Sequence, residues 1–160
     1  MTYSEHMVQH LVLAQLVPLV LAAWRPRRWH PHAGIAWITG IMIMIGTSVP
    51  PVHSLARQSA ALEWAIRIAL VAAGFLFWSP VFGSARVRLG AGAAVVYLVT
   101  ACFATTLAGA YIAFSATTTD QQVAGLIMWV PCCIVFLGAS LTTVVRAMRG
   151  TSSVARQHAN

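Results

Sequence analysis

Apolar residues run on along this chain for whole helix lengths, instead of alternating or recurring on one helical face. The runs are Met7 to Trp24, Ala33 to Val49, Ala60 to Phe82, Leu89 to Ser115 and Gln121 to Val145. Each approaches the roughly 20 apolar residues a helix needs to cross a bilayer. In lipid the backbone must satisfy its own hydrogen bonds, which only helices and closed barrels do. The runs are too continuous for alternating barrel strands. The pattern predicts an all-α fold, a polytopic integral membrane bundle of about five transmembrane helices. It forms a single domain over residues 1–150, followed by a polar tail at 151–160 that is expected to be disordered.

The breaks between runs have local causes. The basic segment from Arg25 to His32 closes the first span. Pro50-Pro51 closes the second, since proline inside a helix removes a hydrogen bond, and a loop is expected from Val52 to Ser59. Gly83 to Arg88 separates the third span from the fourth. Thr117 to Asp120 offers side-chain oxygens as an N-cap for the fifth, with Asp120 read as its cap. Pro131 is expected to kink that helix.

Composition agrees with the pattern. Charged residues make up only 8% of the chain, against about 25% in a soluble domain. The net charge is +7, and all ten basic residues are Arg. No basic helix or aromatic-interleaved patch exists to carry nucleic-acid binding, so no nucleic acid is expected as partner. The lipid bilayer is the partner the composition implies. Arg placement then sets a direction. Arg25, Arg27, Arg28, Arg86, Arg88, Arg146, Arg149 and Arg156 fall on one side, and only Arg57 and Arg67 on the other. The positive-inside rule puts the N-terminus outside and the C-terminus in the cytoplasm. Glu5, Glu63, Asp120, His6, His10 and His53 then all fall on the outer side. The first residues lack a basic segment, so no cleavable signal peptide is expected.

Candidate chemistry therefore gathers at one end. His6 and His10 are four residues apart on a helix and share a face, and Met7 stands three before His10. Two imidazoles and a thioether make a borderline-to-soft ligand set that suits copper, above all Cu(I). The plainer reading makes His6 an interfacial anchor and His10 a hydrogen-bonded packing residue. Glu63 and Arg67, also four apart, read as an internal ion pair that pins a helix interface. Gln121 and Gln122 should face protein or the interface. Met128 and Trp129 follow two turns after Asp120. Met42, Met44 and Met128 read first as apolar packing and second as a sulfur relay. Cys102, Cys132 and Cys133 read as small hydrophobes, with the adjacent pair a lesser candidate for soft metal. His30 and His32 are most simply interfacial. No nucleophile elbow, phosphate loop or paired carboxylates are present, so no enzyme activity is expected.

Three segments together resemble a known family, the CtaG-type cytochrome c oxidase assembly proteins. Glu5-His6-Met7-Val8-Gln9-His10-Leu11 looks like their HM-x-x-H opening. Gly74-Phe75-Leu76-Phe77-Trp78-Ser79-Pro80 is similar to their G-x-L-F-W-x-P segment. Asp120-Gln121-Gln122-Val123-Ala124-Gly125-Leu126-Ile127-Met128-Trp129-Val130-Pro131 is close to their D-Q-Q-x-A-G-L-I-M-W-V signature. The resemblance covers nearly the whole chain but only the later part of the family, whose members usually carry further helices before the first motif. It implies a multi-pass protein of the inner (plasma) membrane that helps mature a haem–copper terminal oxidase. Oxidase subunits in the membrane would be its partners and copper its cargo. Two departures stand out. Thr47-Ser48-Val49-Pro50 stands where the family has Trp-His-x-Pro. Ala60-Ala61-Leu62-Glu63-Trp64 keeps the acid of H-x-x-E-H and loses both histidines. These losses keep a second reading open, a non-catalytic accessory subunit bound permanently to an oxidase or related respiratory complex. Haem is not expected, because no second histidine lies inside a span at the depth of His10.

Overall fold

The computed structural model describes residues 2–24, 32–56, 58–84 and 88–157, with backbone only at 53 and 150–157. Among them every element is a helix: α1 (Tyr3–Trp24), α2 (Ala33–Ser48), α3 (Pro50–Ala56), α4 (Ala60–Phe82), α5 (Ala91–Ser115) and α6 (Thr119–Gln157). Four of these, α1, α4, α5 and α6, are each long and apolar enough to cross a membrane. A fifth is counted only if α2 and α3, which meet at a 70° bend, are taken together as one span. Arg25, Arg27, Arg28, His30, Arg57 and Arg86, and the side chains of His53 and Arg156, lie outside the described residues.

Helix α1 begins four residues before the apolar run does. Thr2 accepts from the Glu5 N–H and the Glu5 carboxylate accepts from the Thr2 N–H, a capping box that satisfies two free donors. Near its middle, Val12–Leu16 is wound as a π turn, with the Val17 N–H bonding to the Val12 carbonyl. The cause is Pro18, which has no N–H to offer Ala14 and whose ring crowds that carbonyl. Widening the turn relieves the conflict. The Ala14 carbonyl instead faces α4 at Gly74, where an added Cβ would lie 2.3 Å from its oxygen.

Pro50 starts a helix where the sequence suggested a loop. The residue before a proline is driven to extended backbone, and Val49 has ψ 142°. Pro50 itself suits the first helical position, where no N–H is needed. The chain therefore turns at Val49 and resumes as α3, so Val52–Ala56 is helical. At the other end, α6 passes through Pro131 and continues to Gln157. It thus extends beyond the apolar run that ends at Val145. Nothing in Arg146 to Gln157 stops a helix except Gly150, whose cost of about 1 kcal/mol is too small to do so alone.

The bundle has two cores. One surrounds Trp78 with Phe77, Val81, Tyr97, Leu98, Cys132 and Phe136. The other, toward the N-terminus of α1, contains Tyr3, Met7, Met44, Leu70, Ile112 and Met128. Helix α5 packs most extensively on α6. At Gly125 an added Cβ would lie 2.5 Å from the Ala113 nitrogen, so only glycine permits that approach.

Candidate metal and partner site at the N-terminal end of the bundle

Helix α1 is tied at its first turn to two neighbours. The Asp120 carboxylate accepts from the Tyr3 N–H at 2.7 Å, the Ser4 N–H at 3.3 Å and the Ser4 hydroxyl at 2.6 Å. The Tyr3 hydroxyl donates to the Ser48 carbonyl at the end of α2. A carboxylate at a helix N-terminus meets free N–H donors and the positive end of the helix dipole. Asp120 thus caps the start of α1 while lying in the first turn of its own helix. Thr118 caps α6, accepting from the Gln121 N–H. Gln121 closes the same turn by accepting from the Thr117 N–H at 3.2 Å.

This anchorage fixes His6, Met7 and His10, all buried. The two imidazoles meet at a centroid distance of 4.1 Å, and His10 Nδ1 lies 3.3 Å from the His6 carbonyl oxygen. His10 is the wall between two small cavities of about 10 Å³ each. One is lined also by His6, Gln9, Glu63 and Arg67. The other is lined by Met7, Met44, Met128 and Cys132. The two constellations of the sequence, His6–His10 and Glu63–Arg67, therefore share one polar chamber. Glu63 and Arg67 form an ion pair within α4, part exposed rather than internal, and the guanidinium lies over the Trp64 ring at 5.1 Å. Outside this chamber, an apolar groove of about 900 Å³ runs between α1 and α4, with Gln9 and Arg67 common to both.

Other candidates separate. Met42 is 64% exposed and cannot join Met44 and Met128 in a relay. Cys132 and Cys133 point apart: Cys132 lines the methionine chamber, whereas the Cys133 thiol meets Cys102 Sγ at 2.9 Å on α5. Trp129 packs its Cβ against Gly109 of α5. Among the described residues, no three His, Cys, Asp or Glu side chains converge on a metal-sized point.

Two participants were missed in the sequence. Gln15 is 2% exposed, and its amide donates to Met44 Sδ at 3.1 Å. In an unbroken α-helix a residue five after His10 would point elsewhere; the π turn brings it to the same side. The visible signal was an amide inside an apolar run with a proline three residues on. Tyr3, the second, had no signal beyond its place beside the capping box.

Fold and site together define a multi-pass helical membrane protein with a buried histidine–methionine centre at one end. The chain belongs to the cytochrome c oxidase caa3 assembly factor family (Caa3_CtaG), whose sequence model matches residues 21–150. The match takes in the Gly74–Pro80 and Asp120–Pro131 segments and begins after His10. No curated protein and no solved structure matches the chain.

Proposed function

We propose that this protein acts in terminal-oxidase biogenesis by holding copper for a haem–copper oxidase, at the end of the bundle where His6, Met7 and His10 lie. In this reading the chain is non-catalytic, sits in the inner (plasma) membrane, and turns that end outward. The observation that carries the reading is the pair of buried imidazoles at 4.1 Å, beside a chamber lined by methionine thioethers. Buried imidazole and thioether suit copper and serve calcium or magnesium poorly. The test is copper bound per purified chain, compared with His6→Ala and His10→Ala. Loss in the His10 variant is expected, and unchanged copper in both would remove the assignment.

One observation favours a second reading, an accessory subunit bound permanently to the oxidase. The α1–α4 groove presents Val8, Val12, Trp64 and Ile68 on the surface of the bundle, which suits a partner helix as well as lipid. Purifying the respiratory complex in mild detergent separates the readings. One copy of the chain per oxidase supports the subunit, and its absence from the finished complex supports the assembly factor.

A further inference from the structure

We propose that the chamber between α1, α2 and α6 binds one Cu(I) ion through the thioethers of Met7, Met44 and Met128 and the imidazole of His10. The biological use of such a site rests on the copper reading above; its metal preference rests on the chamber itself. The three methionines come from three different helices and are 2%, 6% and 4% exposed. Together with His10, Leu11, Ser48 and Cys132 they line a common cavity of about 10 Å³. That is room for one atom-sized guest and not for a hydrated ion. Magnesium and calcium keep oxygen ligands and often water, and structural zinc wants charged or imidazole ligands in a tetrahedron. Thioethers with one imidazole select Cu(I). Thioethers carry no proton, so their ligation of a metal displaces none, unlike sites that must deprotonate their ligands.

Gln15 acts as a positioning residue. Its amide holds Met44 Sδ at 3.1 Å, and a thioether sulfur has a second lone pair for the metal. His10 borders both chambers while His6 borders only the polar one.

The test titrates the full chain, purified in detergent, with Cu(I) against a chromophoric Cu(I) chelator, and records copper X-ray absorption. One Cu(I) with sulfur scattering is expected. Met44→Leu with Met128→Leu should weaken binding by roughly tenfold or more, about 1.4 kcal/mol or more, and reduce the sulfur signal. These swaps conserve volume, so thermal unfolding should stay near that of the original chain. A double variant that binds Cu(I) as the original does, a spectrum with nitrogen ligands only, or a loss confined to Cys132→Ser would each overturn the site. Oxidase copper in cells making the double variant separates the two proposals. Weakened Cu(I) binding with normal oxidase copper keeps the site and overturns its role in maturation. Unchanged binding overturns the site whatever the oxidase contains.

Discussion

Around Trp78 the bundle is filled with rings. Phe77 meets the indole edge-on at 5.2 Å, with Phe136 at 5.7 Å and Phe82 at 5.8 Å. A few helical turns away, around Met7, the buried set holds no phenylalanine or tryptophan. Three methionines fill that space, flanked by the two histidines and overlaid by the Tyr3–Asp120 contacts. Aromatic rings bury large area in fixed geometries. Methionine has soft sulfur and three rotatable bonds, and it tolerates change. One chain thus separates a ring-packed core from a methionine-rich one.

The comparison can be attacked from either side. Trp78→Ala empties the centre of the aromatic core and should cost about 3–5 kcal/mol. Detergent-resolved thermal unfolding should show the loss, while the fraction still folded keeps its metal affinity. Equal damage to both properties would mean that the two cores are one unit. Gly125→Val should cost about 1–3 kcal/mol by overpacking, since its Cβ would meet the Ala113 nitrogen at 2.5 Å. That variant should loosen α5 from α6, read as faster cleavage by protease. Asp120→Asn weakens three bonds to the start of α1 and should cost about 1.5–3 kcal/mol at most, as bonds to a charged group do. Hydrogen exchange should rise in the first turn of α1 and not in α5. Glu63→Gln should change stability least, by about 0–1 kcal/mol, because Glu63 and Arg67 keep 41% and 31% of their side-chain surface exposed.

The helices were legible because each apolar run is long and uninterrupted. Their buried faces were not, since a helix that is apolar all round carries no stripe to say which side meets protein. Both proline effects show the limits of a one-dimensional reading. Pro50 read as a stop, and it is a stop for α2, but it also starts α3. Pro18 raised no expectation, yet its π turn sets where Gln15 points. For the candidate site, the spacing of His6, Met7 and His10 placed them together on one helix, where all three are buried. The partners Met44 and Met128 could not be assigned, because only the packing of α2 and α6 tells them apart from exposed Met42. Asp120 was read as a local cap because sequence shows neighbours along the chain and not the N-terminus of α1, whose Tyr3 lies 117 residues away.

The most direct test of a copper-handling role is the copper-to-haem ratio of the terminal oxidase from cells making the His10→Ala chain at normal level. The account predicts an oxidase that retains haem and is depleted in copper, restored by the original chain. Full copper in an oxidase matured by the His10→Ala chain would contradict it.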